Sequence, residues 1–177
     1  MHFGEFRVLP WFLPAAAISV AVGLVVNGRV ARTLGIRRAV ALTLVLSLGA
    51  ILSATLTPLR GALAFGTIGT GTCDLSRMGL APLRELFAVN DVSLNVLLFV
   101  PLGLSIAFIP RSRLKVIVLI ASIGLPFAIE GTQLLVPALD RACESADVVD
   151  NLTGLTVGLV FGVVAGRFLG VVSHRSR

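Results

Sequence analysis

Charged residues are scarce in this chain of 177 residues, because Asp, Glu, Lys and Arg make up only 14% of it. Hydrophobic residues make up 56%, and the mean hydropathy is +0.98. A soluble domain normally carries about 25% charged residues, which keep its surface hydrated. The composition therefore excludes an ordinary soluble domain and indicates an integral membrane protein.

Residues of the common catalytic and metal-binding motifs are also scarce. The two histidines, His2 and His174, lie near the chain ends, and neither an HExxH nor a GxSxG motif is present. Glu130, Asp147 and Asp150 could bind a divalent cation through their carboxylate oxygens, but their spacing matches no known metal motif. We therefore expect no metal and no cofactor, and the sequence identifies no catalytic residue.

Five apolar runs approach or exceed the roughly 20 residues that a helix needs to cross a bilayer. They extend from Val8 to Asn27, Ala39 to Pro58, Val92 to Pro110, Val116 to Val136 and Asn151 to Leu169. The positive charges follow the first run instead of preceding it, which indicates a retained helix and not a secretory signal. We predict an all-α fold in which residues 1–177 form one domain, a membrane bundle of five transmembrane helices.

The basic residues are distributed on one side of this predicted bundle. Lys and Arg in short loops stay on the cytoplasmic side of a membrane. Ten of the 15 basic residues lie in three segments that contain no acidic residue: Arg29, Arg32, Arg37, Arg38, Arg111, Arg113, Lys115, Arg167, Arg175 and Arg177. The N-terminus is thus expected outside and the C-terminus inside. The net charge of +6 is explained by this topology and by the attraction of basic residues to anionic lipid headgroups. We therefore expect no nucleic-acid partner.

The two cysteines, Cys73 and Cys143, both fall in loops that this topology places outside the membrane. An oxidising compartment permits a disulfide there. The sequence leaves two alternatives open, a bridge or two independent thiols.

Glycines recur every four residues along the fifth apolar run, at Gly154, Gly158, Gly162 and Gly166. A stripe of small residues lets a second helix approach closely. The second helix could belong to the same bundle or to a second copy of the chain, in which case the stripe would form a homodimer contact.

Polar side chains are predicted to meet in the outer leaflet. Glu130 lies about six residues, or ~9 Å, before the end of the fourth run, and Gln133 shares its helix face. The complete set of candidate ligand-binding residues is Asn95, Glu130, Gln133, Arg141, Asp147, Asp150 and Asn151. Ionisable groups inside a membrane are functional candidates. The alternative is a hydrogen-bonded network that only holds the helices together.

Two segments resemble the VanZ-like membrane protein family: NVLLFVPLGL, from Asn95 to Leu104, and EGTQLLVPALDRACESADVVDNLTGLTVG, from Glu130 to Gly158. The matching residues are Asn95, Phe99, Pro101, Gly103, Glu130, Gln133, Arg141, Asp147, Asn151 and Gly154. The resemblance covers roughly the last three helices. It implies a multi-pass protein of the bacterial plasma membrane with a connection to resistance against glycopeptide antibiotics of the teicoplanin type.

The interpretation that combines these observations is an outer-leaflet polar site that binds a membrane lipid, a cell-envelope precursor or another amphiphile. Two other classes stay open on the sequence alone. One is a membrane-embedded enzyme that acts on a lipid-linked cell-wall intermediate, and the other is a structural partner subunit.

Overall fold

The computed structural model of the chain describes residues 11–59 and 71–175, with side chains described as far as residue 168. The start of the first predicted span, His2 and most of the Gly/Thr-rich run before Cys73 lie outside these residues. The helices are α1 Phe12–Leu34, α2 Arg38–Thr55, α3 Leu83–Leu86, α4 Asp91–Ala107, α5 Arg113–Leu135 and α6 Ser145–Arg175. A 3-10 turn, Pro137–Leu139, and two short strands, β1 Cys73–Asp74 and β2 Cys143–Glu144, complete the described chain.

The all-α prediction agrees with this architecture, and four of the described helices are long and apolar enough to cross a membrane. These are α1, α2, α5 and the Ser145–Phe168 part of α6. The apolar helix α4 has 17 residues and is shorter. Its length is about 26 Å, slightly below the ~30 Å thickness of a bilayer's hydrocarbon core.

Helix α4 lies at the centre of the bundle. Its residues Phe99, Leu102 and Ile106 are fully buried. They belong to one hydrophobic core with Ile51 of α2 and Ile129 of α5. The buried position of α4 explains its continuous apolar sequence, since its neighbours cover it on several sides.

The glycine stripe packs α6 against α4 within one chain. A Cβ atom added at Gly154 would meet the carbonyl oxygen of Val96, and one added at Gly158 would meet that of Val100. Gly162 comes next along the same surface and lies beside Ala107. The residue numbers of the glycines on α6 and of their neighbours on α4 increase in the same direction, so α4 and α6 run parallel. The structure therefore contains the intramolecular contact at Gly154, Gly158 and Gly162, and a homodimer contact through the stripe stays a prediction.

Both ends of α4 are closed by side chains. At its start, the side chain of Asn90 accepts a hydrogen bond from the Ser93 backbone N–H, and the Ser93 hydroxyl accepts one from the Asn90 N–H. This reciprocal pair is a capping box. At the other end, the Lys115 ammonium donates to the carbonyl oxygens of Ala107 and Ile109, each at 3.0 Å. Lys115, in the first turn of α5, thus neutralises the negative end of the α4 dipole.

Candidate ligand-binding site

A segment between α2 and α3, residues 71–81, lies across the start of α6, and we call it the strap. Its strand β1 pairs in parallel with β2, with Cys73 opposite Cys143 and Asp74 opposite Glu144. A disulfide joins Cys73 to Cys143 across a sequence separation of 70 residues. Of the two alternatives for the cysteines, the structure thus contains the bridge. The bridge fastens the strap to the loop between α5 and α6.

An ion pair provides the second attachment of the strap. The Arg77 guanidinium donates to both carboxylate oxygens of Asp150, at 3.0 and 2.5 Å, and to the carbonyl oxygen of Ala146 at 3.3 Å. Asp150 is only 2% exposed. The hydrogen bonds to the Asp150 carboxylate hold the pKa of Arg77 above its ordinary value. The Ser145 hydroxyl also donates to the Arg77 carbonyl oxygen at 2.9 Å. The strap is therefore held against the first turns of α6.

Arg77 was missed as a site residue by the reasoning from sequence, in which Arg141 is the only basic residue of the candidate set. A signal was present, because Arg77 follows Cys73 by four residues. Once Cys73 is bonded to Cys143, the chain from Cys73 brings Arg77 close to the acidic residues that follow Cys143.

A cavity of about 480 Å³ lies between α5 and α6, next to the strap. Its walls are mostly apolar. They include Phe127 and Leu134 from α5, Val148 and Leu152 from α6, and Leu75 and Met78 from the strap. Two acidic residues, Glu130 and Glu144, also line it. The lining of the cavity therefore combines apolar residues with two acidic residues.

Glu130 is the one candidate residue from the sequence that lines this cavity in the part of the chain that the structure describes. It is 5% exposed, and its Oε2 accepts a hydrogen bond from the Glu144 backbone N–H at 2.8 Å. Its Oε1 accepts no hydrogen bond from any described residue. The bond to Glu144 orients the carboxylate and leaves the second oxygen as an acceptor.

Gln133 and Arg141 hold the end of α2. The Gln133 amide donates to the carbonyl oxygen of Thr55 at 3.0 Å. Arg141 donates to the carbonyl oxygens of Ala54 and Thr57 at 2.6 and 3.3 Å. The last carbonyls of a helix have no partner within the helix, so these contacts satisfy those of Ala54 and Thr55, and Thr57 lies two residues beyond the end of α2. Burial lowers the pKa of Arg141. These two residues act as the hydrogen-bonded network that the sequence left as an alternative.

The other candidates lie at the same end of the bundle. Asn151 is 1% exposed, and neither its Oδ1 nor the Oε1 of Gln133 has a donor among the described residues. Asp147 is half-buried, and no described Lys or Arg nitrogen lies within 4.0 Å of its carboxylate. Asn95 is half-buried in α4, directly before Val96. In residues 11–59 and 71–168, no group of three or more His, Cys, Asp or Glu could hold a metal ion.

Long apolar helices around a buried polar cluster define the class of this protein, a helical bundle of the kind found in membranes. Residues 44–166 match the VanZ/LLP1 family, and this is more than half of the chain. The chain therefore belongs to the VanZ/LLP1 family, which confirms the resemblance seen in the sequence. The matched range includes the strap, the cavity and every candidate site residue. No curated protein and no solved structure is significantly similar to the chain.

Proposed function

We propose that this protein is a multi-pass protein of the bacterial plasma membrane that binds an amphiphile in the cavity between α5 and α6. The observation that carries the proposal is the cavity itself, which has apolar walls and buried Glu130 on its lining. Binding pockets commonly combine apolar walls with a few polar groups that orient the ligand. An amphiphile matches both parts, with its tail against the walls and its headgroup near the strap.

The proposed protein has five membrane spans, because α4 is proposed to cross the membrane in addition to the four longer helices. Helix α4 runs parallel to α6 from Val96 opposite Gly154 to Ala107 opposite Gly162. Since α5 connects them and must return in the opposite direction, α4 and α6 start at the same side. The core position of α4 makes its shorter length acceptable, because protein and not lipid surrounds most of it.

The orientation is the next element of the proposal, and labelling with an impermeant maleimide in intact cells measures it. Both native cysteines are bonded to each other, so an introduced cysteine is the reactive thiol. Thr33→Cys and Arg111→Cys, in basic segments, are expected to stay unlabelled because those segments face the cytoplasm. Ala138→Cys, which is exposed at the strap end, is expected to react. The reverse pattern would overturn the N-outside, C-inside orientation.

The family resemblance extends the proposal to the cell envelope. A cavity at the strap end would lie in the outer leaflet, where an envelope lipid or precursor and a teicoplanin-type glycopeptide are both found. We infer that binding of an amphiphile at this site contributes to glycopeptide resistance. Growth of a sensitive host that expresses the protein, in the presence of teicoplanin, tests this extension.

Gly131→Leu is expected to prevent amphiphile binding without disturbing the fold. Gly131 lines the cavity, and a Cβ added there meets no atom within 4 Å. A leucine side chain has room to enter the cavity, and leucine favours a helix more than glycine does. With the protein in phosphatidylcholine nanodiscs, a neutral dodecyl probe carrying a diazirine should label α5 and α6 peptides of the wild type. The labelling should fall about tenfold or more in the variant, which corresponds to a loss of ~1.4 kcal/mol of binding free energy.

Gly124→Leu is the matched control for this experiment. It makes the same change on the same helix, at a position that also leaves a Cβ in open space but does not line the cavity. The two glycines are seven residues apart, so they lie on nearly the same helix face. Equal labelling of the Gly131→Leu variant and the wild type would refute binding in this cavity.

A further inference from the structure

We infer that the amphiphile carries a cationic headgroup with N–H donors, a primary ammonium, which binds at Glu130 and Glu144. This inference rests on the proposed function and names the ligand class for the same cavity. It follows from which polar groups near the cavity already have partners and which do not.

Two arginines and one hydroxyl near the strap already donate their hydrogen bonds within the protein. Arg77 donates to Asp150 and to the carbonyl oxygen of Ala146. Arg141 donates to carbonyl oxygens at the end of α2. The Ser145 hydroxyl, on the cavity lining, donates to the Arg77 carbonyl oxygen. A negatively charged headgroup would therefore find no unpaired cation among the described residues at this end of the cavity.

Acceptors, in contrast, are available on the lining. Glu130 uses only Oε2, and the half-buried Glu144 carboxylate forms neither a hydrogen bond nor an ion pair with a described residue. Asp147 adds a third carboxylate nearby that has no Lys or Arg nitrogen within 4.0 Å in the described chain. The acidic side chains at this end thus exceed their paired cations.

This imbalance selects the charge of the ligand. A phosphate or sulfate group placed directly at Glu130 would add a negative charge beside a buried carboxylate, which is unfavourable in a medium of low dielectric constant. An ammonium group donates up to three hydrogen bonds and has the opposite charge. It can reach the unused oxygen of Glu130 and the Glu144 carboxylate while the hydrocarbon tail stays between α5 and α6.

The shape of the lining agrees with this arrangement. Phe127 lies three residues before Glu130 on α5 and Leu134 four residues after it, so all three share a helix face. Each of them lines the cavity. On α6, Val148 and Leu152 are four residues apart and line the opposite wall. The polar contact and the apolar wall are therefore parts of one continuous surface.

Competition against the neutral diazirine probe in nanodiscs tests the inference. Dodecylammonium and dodecyl sulfate have the same tail and opposite charges, and we expect the ammonium to displace the probe from the wild type at the lower concentration. Glu130→Gln keeps the shape and the acceptor for the Glu144 N–H but removes the charge. This variant should lose about tenfold of the preference for dodecylammonium, measured as the concentration of dodecyl sulfate that displaces the probe divided by that of dodecylammonium. A tenfold change is expected for the loss of ~1.4 kcal/mol of charge interaction.

Two further variants make the result interpretable. Glu144→Gln should shift the same ratio in the same direction. Glu85→Gln, which changes a glutamate of α3 outside the cavity lining, should leave it unchanged. If the Glu130→Gln ratio equals that of the wild type while Gly131→Leu still removes labelling, the ammonium inference is wrong and the amphiphile proposal stands. If Gly131→Leu has no effect, the proposed function itself fails.

Nanodiscs of different lipids distinguish two sources of the ammonium group. Phosphatidylethanolamine carries it on a membrane lipid, and phosphatidylglycerol is the comparison lipid without it. Reduced labelling of the wild type in phosphatidylethanolamine supports a lipid ligand. Displacement by dodecylammonium alone supports a single-chain amine. Displacement by neither would overturn the inference.

Discussion

Gly158→Val is expected to destabilise the bundle by about 3 kcal/mol or more, because it forces apart the two helices that pack most closely. A Cβ atom at this position would meet the carbonyl oxygen of Val100 and come within 2.8 Å of the Leu104 nitrogen. Both are backbone atoms of α4, so no side-chain rotation can relieve the overlap. Thermal unfolding in detergent micelles, followed by circular dichroism, measures the effect.

Gly166→Val is the matched control on the same glycine stripe. A Cβ added there has as its nearest neighbour the Cε1 atom of Phe108, at 3.9 Å, which is an ordinary van der Waals contact. This variant should unfold near the wild-type temperature. If Gly158→Val and Gly166→Val unfold together, α4 and α6 do not pack through these glycines.

Arg77→Leu is expected to lower the free energy of unfolding by about 3–5 kcal/mol, since it leaves a buried carboxylate without its partner. Asp150 is 2% exposed and receives two hydrogen bonds from the Arg77 guanidinium. The expected result is a lower unfolding temperature, measured in the same micelles. The double variant Arg77→Leu/Asp150→Leu should regain much of the loss, because no charge then stays buried alone.

Arg84→Leu serves as the control for this ion pair. The Arg84 side chain is 85% exposed, and its nitrogen lies 4.0 Å from the Glu85 carboxylate. Exposed pairs of this kind contribute at most about 1 kcal/mol. An Arg77→Leu variant no less stable than Arg84→Leu would contradict the assigned attachment of the strap to α6.

The strap connects the stability of the fold with the candidate site. Its disulfide, its ion pair and the Ser145 hydrogen bond all attach it to the start of α6 or to the loop before it. Leu75 and Met78, which line the cavity, lie between Cys73 and Gly79 on this segment. Loss of the Arg77 attachment should therefore also alter amphiphile labelling, in addition to lowering stability.

Local features of the chain were predictable from the sequence alone. The apolar runs located the long helices, because each helix must bury or expose to lipid a nearly continuous set of apolar side chains. The four-residue glycine period correctly indicated a close helix contact along the fifth run. The placement of Glu130 and Gln133 on one buried helix face was likewise a matter of helical periodicity, which relates residues three or four apart.

Helix boundaries were less predictable where a distant residue decides them. The apolar pattern places the start of the fifth run at Asn151, whereas α6 begins at Ser145. The extra turns contain Asp147 and Asp150, which hydropathy counts against a membrane helix. Arg77, 73 residues earlier, neutralises Asp150 and allows this turn to be buried. Hydropathy within one segment contains no information about such a partner.

The sequence by itself thus determined the class of protein, the family and the level at which polar groups enter the bundle. Only the tertiary structure decided which contact each polar residue makes. Gln133 and Arg141 bind the end of α2, Asp150 pairs with Arg77, and Glu130 lines a cavity. The physical reason is that periodicity relates neighbours on one helix. Which carbonyl, carboxylate or open space a side chain meets depends on how separate helices and the strap pack against one another.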